Sequence, residues 1–521
     1  MAGETGGWPV KLYSERTSPV WGAAGLALAL GLVSLARDGW LLWGYGLKLS
    51  HDSAEYIQLA QAWFDFSQPF AVSRTTLPYL FMVGLARAWQ GPWALLAMQV
   101  VLAGLAVGAL VYVLARRDRW LALTVGAVLA CDLVWGGANR AILMEGPLTS
   151  LSLLALAWFI SHYDRRERLG AVELALAGAF YGLVLFFRPS NIFLMPVLVL
   201  AYWWLARRWS RAAWLALGMA LFLLAACSMN LARSGRFALF GQSGDYLVWP
   251  LIYQELFDPN NGPASKELDQ ALSRCMPPES YRKVTYLVSP SISNLQSCLD
   301  RQGMSYRRQS ELWQRAFVEA MASRPLDFAG MLVSESAGYL AYPTFREAQG
   351  YWLPPWHRLA WWPGVCGQVA WCPGRDFTPR ASLYAWPVAW FDALSPYTMQ
   401  LYLNGAFLSV QDPPRLAATV ALKKPRGAYN KAAWLAAIGW LVMAAFLLTT
   451  THGRRRFVVL AGLLYVHYTI LTIVGLNVFL PRYSCQLSPW YSLLSVAALV
   501  QLEALIRRAW ARRAAREEGA P

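Results

Sequence analysis

Apolar stretches close to the ~20 residues needed to cross a lipid hydrocarbon core recur along this chain, and nothing else restricts its fold as sharply. Inside a bilayer every backbone N–H and C=O must find a partner within the protein, so segments of this kind are helices. Their lengths predict ten spans, at 19–36, 93–115, 120–137, 147–161, 171–187, 190–206, 212–230, 432–451, 457–479 and 486–505. A short apolar helix at 76–89 can be counted either way. With 57% hydrophobic and 15% charged residues over 521 positions, the chain reads as an all-α polytopic membrane protein, not a soluble enzyme.

The net charge of +16 suggests nucleic acid only until the charges are mapped. Arg116, Arg117 and Arg119 follow span two, and Arg165, Arg166 and Arg168 follow span four. Arg207, Arg208 and Arg211 follow span six, and Arg454, Arg455 and Arg456 follow span eight. The C-terminal tail adds Arg507, Arg508, Arg512, Arg513 and Arg516. Every second connection is therefore basic, as the positive-inside rule requires of cytoplasmic loops. Both termini are expected in the cytoplasm, and the mapping argues against nucleic acid as a partner. The first apolar run lacks a cleavage-site pattern, so span one is read as retained.

Three regions follow. Residues 1–230 form an N-terminal membrane bundle with an acidic first outer loop at 37–92. Residues 231–431 form a large, mainly helical outer segment, and 432–521 a C-terminal bundle with a basic tail. Within the outer segment, Glu311, Trp313, Phe317 and Met321 are spaced for an amphipathic helix that Pro325 stops. Cys275, Cys298, Cys366 and Cys372 all fall there, while Cys131 and Cys227 lie in spans. That clustering points to an oxidising compartment and to disulfides, with the local pairs Cys275–Cys298 and Cys366–Cys372 the simplest connectivity. Cys485 has no obvious partner. Trp352, Trp356, Trp361, Trp362 and Trp371 suit an interfacial belt or a wall that binds sugar or lipid.

The polar residues that stand out share the outer face. His51-Asp52-Ser53-Ala54-Glu55-Tyr56 follows the first span. Carboxylates at a membrane boundary are costly enough to suggest function. Asp52 and Glu55 also have the spacing of a helix-capping box, which accounts for Glu55 better than for Asp52. Glu145, opening span four, brings an acid from another loop. The two acids, Asp52 and Glu145, could flank an acceptor hydroxyl or share a divalent cation. Arg140, Arg188 and Arg482 are lone arginines on the side where positive charge is disfavoured, and the guanidinium fork fits a phosphate. Snorkelling at a helix end is the plainer account of each. His51 and His357 are weak metal signals, and His467 within span nine reads as a packed, satisfied residue.

Four local patterns in this order resemble the GT-C superfamily of integral-membrane glycosyltransferases. Within it, they resemble bacterial relatives of protein O-mannosyltransferases and of the lipid A aminoarabinose transferase. The first is Asp52-Ser53-x-x-Tyr56-x-x-x-Ala60. The second is Arg74-Thr-Thr-Leu-Pro78-Tyr79-Leu-Phe, with its proline spacing shifted from the family pattern. The third is Glu145 at the start of a span, where Met144 replaces the usual small hydroxyl residue. The fourth is the pair of marks Arg188-Pro189 and Arg482-Tyr483. The likeness covers about 19–230 and 432–505.

It implies a polyprenyl-phosphate-linked sugar as donor and inverting transfer to a glycan, lipid or protein acceptor at the periplasmic face of a bacterial inner membrane. Asp52 would be the general base, with Glu145 and Glu55 as further acids. Arg188 and Arg482, with Arg140, would hold the lipid phosphate, while Tyr56, Arg74 and Tyr483 would line the substrate site. Dependence on a divalent cation stays open. A glycan polymerase or ligase would use the large outer loop instead, and a lipid or sugar transporter would break its spans around mid-membrane charges.

Overall fold

Among the described residues of the computed structural model, four helices are long and apolar enough to cross a membrane: Gly22–Leu42, Ala94–Ala115, Trp209–Ser234 and Pro489–Ala514. Shorter apolar helices accompany them, at Leu77–Ala86, Arg119–Ala130, Ala171–Phe186, Leu194–Trp204, Ile438–Thr450 and Gly462–Leu471. The structure describes residues 20–45, 56, 59–60, 62–66, 77–89, 92–139, 142–165, 168–188, 191–192, 194–235, 237–239, 247–253, 256–282, 292–341, 428–451, 453–476 and 487–518. Among these the architecture is all-helical, a multi-pass membrane protein by length and composition.

The N-terminal part runs α1 (Val20–Tyr45), α2 (Leu77–Trp89), α3 (Pro92–Ala115), α4 (Arg119–Ala130), α5 (Leu133–Asn139), α6 (Glu145–Asp164), α7 (Ala171–Phe186), α8 (Leu194–Ala206) and α9 (Trp209–Ser234). Side chains such as Leu28, Leu32, Leu105, Leu221 and Leu224 are exposed on these helices, as lipid-facing positions should be. Between helices the seams are lined by small residues, because lipid tails are as apolar as leucine and close backbone approach is what holds the helices together. On α1 and α3, Ala27 and Gly31 meet Gly108 and Gly104. A β-carbon on Gly31 would sit 3.0 Å from the Gly104 carbonyl oxygen, and one on Gly108 3.3 Å from that of Ala27. On α7 and α9, Gly178 lies against the Leu215 carbonyl and Gly218 against that of Ala175.

Most helix ends differ from the expected spans by several residues, and two departures bear on the interior. Span one was expected to end at residue 36, yet α1 continues to Tyr45 and carries Arg37 and Asp38 into the interior. The stretch 120–137 is not one helix. It breaks at Cys131–Asp132, where the Asp132 carboxylate accepts the Trp135 N–H at 3.0 Å and so caps α5. A break inside an apolar bundle frees the last carbonyls of α4, and Arg37 supplies their partner.

After α9 comes a helical unit with its own core. It comprises a π-turn at Trp249–Tyr253, a short 3-10 turn at Pro259–Asn261, α10 (Pro263–Ser273), α11 (Glu279–Arg282), α12 (Ile292–Arg301), α13 (Tyr306–Ser323) and α14 (Pro325–Ala341). Trp313 and Phe317 are buried as the α13 periodicity predicts. Pro325 does end the α13 register, but it also opens α14, since a proline at the first helical position lacks only an N–H that would have no helical partner. The predicted Cys275–Cys298 disulfide is formed and closes a 23-residue separation between α10 and α12. Cys366 and Cys372 lie outside the described residues. Asp269 accepts the Tyr281 hydroxyl at 2.9 Å and pairs with Arg282. Burial and that hydrogen bond push the Tyr281 phenol up to about 12.

Glu319 of α13 caps α10. It accepts from the Ala264 N–H at 2.8 Å, and from the Ser265 N–H and hydroxyl at 2.7 and 2.8 Å. Burial opposes its ionisation, but these donors and the Arg315 charge outweigh it and hold the carboxyl below its ordinary value. A depressed folded pKa means the stabilisation is complete above the unfolded value, about 4.3, and disappears as pH falls through the lower folded value. Glu319→Gln should therefore lower the unfolding midpoint at pH 7. The gap to wild type should narrow as unfolding is followed below pH ~4, and a constant gap would refute the capping role.

The third part is α15 (Ala428–Thr450), α16 (Gly453–Leu476) and α17 (Ser488–Glu518). Helix α14 packs along α15 and α16, so the intervening unit is anchored to these helices. At 31 residues α17 is about 46 Å long, more than the ~30 Å of a hydrocarbon core, and its far end carries the exposed Arg507, Arg508, Arg512 and Arg513. His467 is satisfied as expected: it accepts from the Trp440 indole at 3.2 Å, and its other ring nitrogen lies 2.7 Å from the Leu463 carbonyl.

Candidate functional site

The start of α6 places Glu145 in the interior, 2% exposed. Two features set that position. The Thr149 hydroxyl donates to the Glu145 carbonyl at 2.7 Å and tightens the first turn. Gly146 lets the turn press onto the end of α5, where a β-carbon would come within 2.7 Å of Asn139 Oδ1 and 3.2 Å of the Ala138 carbonyl oxygen.

Aromatic residues from three other segments meet beside this acid, with Tyr79 at their centre. Tyr79, from α2, is fully buried and lies within electrostatic reach of Glu145, and its hydroxyl has no hydrogen-bond partner among the described residues. Tyr56 meets it edge to face, with centroids 5.1 Å apart and planes at 83°. Phe187, at the end of α7, approaches from another side at 6.4 Å. Each such ring pair adds about 0.5–1.5 kcal/mol beyond area burial. Together with Ile142, Leu143 and Leu148 these residues form one apolar cluster at the Glu145 end of the bundle.

Arg188 follows Phe187 directly and is 8% exposed. It lies within electrostatic reach of the Tyr465 hydroxyl on α16, which is 3.3 Å from the Ser152 hydroxyl on α6. The C-terminal helices thus touch the same region through Tyr465. A buried carboxylate within electrostatic reach of a buried phenol can orient a hydroxyl group, and a buried guanidinium directly after Phe187 can bind an anion.

Of the residues singled out from sequence, Tyr56 and Glu145 come together here through Tyr79, and Arg188 follows Phe187 of the same cluster. Asp52, Glu55, Arg74, Arg140, Arg482 and Tyr483 lie outside the described residues, as do His51, His357 and Cys485. Among the described residues no group of three His, Cys, Asp or Glu is placed to hold a metal ion.

Sequence reasoning missed three features. Tyr79 entered only as part of a motif, yet it is the residue that Tyr56, Glu145 and Phe187 share. Arg233, at the end of α9, donates to the carbonyls of Ala62, Trp63 and Asp65 at 2.8–2.9 Å and so fixes the segment that carries Tyr56. Below the cluster, Arg37 and Asp38 form a buried ion pair at 2.6 Å. Arg37 also donates to the Leu129 and Ala130 carbonyls at 2.8 and 3.3 Å, and its guanidinium lies 5.2 Å from the Trp135 ring centre. The other Asp38 oxygen accepts from the Asn139 amide at 2.8 Å, and the Asn139 carbonyl accepts from Gln99 at 2.8 Å. One polar network thereby joins α1, α3, α4 and α5 directly beneath the turn that carries Glu145. An aspartate in a predicted loop was the available sequence signal, but the groups that the Arg37–Asp38 pair bonds on other helices lie 92 to 101 residues away.

No family model, characterised protein or solved structure matches this chain.

Proposed function

We propose that this protein is an integral-membrane glycosyltransferase. It moves a sugar, with inversion, from a polyprenyl-phosphate donor to a glycan, lipid or protein acceptor at the periplasmic face of the membrane. The reading takes ten spans, both termini in the cytoplasm and the 231–431 segment on the periplasmic side of an inner membrane. The single observation that supports it is the meeting of Tyr56 and Phe187 on Tyr79, which lies within electrostatic reach of Glu145, with the buried Arg188 directly after Phe187 in the chain.

A lipid-phosphate donor requires a cation near headgroup depth, which Arg188 supplies with Arg482 and Arg140 as the expected companions. As the glycosidic bond breaks, charge develops on the leaving phosphate, and a fixed guanidinium stabilises it more than the ground state. Asp52, four residues before Tyr56, takes the acceptor's proton, and Glu145 orients the acceptor or the sugar.

A lipid or sugar transporter is the second reading, and the interrupted α4–α5 helix beside the Arg37–Asp38 pair favours it. Both Asp38 oxygens are engaged within the protein, however, which suits a strut better than a transport site.

Radiolabelled polyprenyl-phosphate sugars supplied to membranes with extracted acceptors separate the two. Wild type should transfer label, and Asp52→Asn and Glu145→Gln, equally expressed, should lose about 100-fold or more, the scale of general-base and positioning effects. Label carried across vesicles without cleavage would favour the transporter, and variants that turn over donor like wild type would remove these acids from the mechanism.

A further inference from the structure

Asn191 is 1% exposed, and among the described residues neither its amide nitrogen nor its carbonyl oxygen has a hydrogen-bond partner. A bare buried carboxamide is destabilising, so its presence asks what it meets when the protein works.

Its surroundings narrow the answer. The Asn191 N–H donates to the Arg188 carbonyl at 2.9 Å, which holds the two backbones together. The next residue, Ile192, packs both on the cluster holding Tyr56 and Tyr79 and on the separate cluster of α7 and α8. Asn191 therefore stands at the seam of the two, its backbone tied to that of the buried Arg188.

A carboxamide offers donors and an acceptor together, and a hydroxyl group is one partner that uses both at once. The guanidinium of Arg188, whose backbone is bonded to Asn191, suits a phosphate. The ligand that satisfies the pair is a phosphodiester whose sugar carries a free hydroxyl close to the ester oxygen. We propose that Asn191 is a specificity-determining residue, exchanging hydrogen bonds with a hydroxyl of the sugar esterified to the phosphate held at Arg188. This rests on the glycosyltransferase reading. It adds that the site distinguishes a glycosylated lipid phosphate from a bare one, because a site that hydrogen-bonds a substrate hydroxyl rejects ligands lacking it.

The test uses the full chain, purified in detergent, titrated with undecaprenyl phosphate and with its glucosyl, mannosyl and galactosyl esters, and read by intrinsic tryptophan fluorescence. Wild type should prefer at least one glycosylated lipid by about tenfold or more. Asn191→Leu keeps the shape and removes the polar atoms. It should unfold no earlier than wild type and keep its affinity for the bare lipid, yet bind all four within about threefold. Asn191→Ala serves in its place if the leucine variant does not fold. A preference that survives in the variant, or wild type that does not discriminate, overturns the inference and leaves the transferase reading standing; an ordered water would then be the group that Asn191 meets. Wild type that binds none of the lipids overturns both.

Discussion

Asp38→Ala is expected to destabilise the folded protein by about 3–5 kcal/mol, because it strands the Arg37 guanidinium inside a membrane-crossing helix. Asp38 is 1% exposed, so water cannot substitute for the lost carboxylate. Its second oxygen also serves Asn139, whose amide would lose its partner too. Thermal unfolding of the purified protein in detergent measures the effect. Arg37→Met with Asp38→Leu removes both charges and should cost less than Asp38→Ala, since the pair's mutual attraction largely offsets its desolvation. It should still cost about 1–3 kcal/mol, because the Leu129 and Ala130 carbonyls then lose their donor. A double variant as unstable as the single one would show that the charges themselves are not what stabilises the helix break.

Gly218→Ala and Gly178→Ala carry the second large effect. Each added methyl would land on a backbone carbonyl of the facing helix, that of Ala175 or that of Leu215. A side chain can rotate aside, whereas a helix backbone can only move as a body, so α7 and α9 must separate. We expect about 1–3 kcal/mol for either substitution, at the upper end of that range, and more for both together. Gly25→Ala is the control. Nothing lies within 4 Å of its added β-carbon, and replacing a helical glycine there should be neutral or stabilising by up to ~1 kcal/mol. Equal unfolding midpoints for all three would mean that α7 and α9 do not approach as closely as described. The same separation would displace Phe187 and Arg188, which follow α7 directly, so sugar transfer should fall with stability.

How much of this was legible from the chain differs from residue to residue. The helices could be read because an apolar stretch in lipid has only one way to satisfy its backbone, a local requirement. The Cys275–Cys298 disulfide was readable because its partners are near in sequence, and the α13 face because Trp313 and Phe317 repeat at the helical period. Glu145 and Arg188 stood out because charge is rare at such positions. Arg37 and Asp38 did not, because they fall just past the expected end of span one and resemble ordinary loop charges. The break at Asp132 was hidden for a related reason: hydropathy sums over a window, and one capping aspartate barely alters the sum. Asn191 carries no sequence signal, since an asparagine after a proline reads as a turn whether or not its amide is satisfied.

The sequence by itself determined that this chain is helical and membrane-embedded, and which charges are out of place, because the expense of burying a peptide group or a charge in hydrocarbon acts residue by residue. It took the packing of distant segments to bring Tyr56, Tyr79 and Phe187 together beside Glu145. The same packing set Arg37 and Asp38 at a broken helix, and buried Asn191 with no partner among the described residues. Those outcomes depend on which helices pack together, and glycine seams such as those of α1 with α3 and α7 with α9 set that through contacts between residues far apart in the chain.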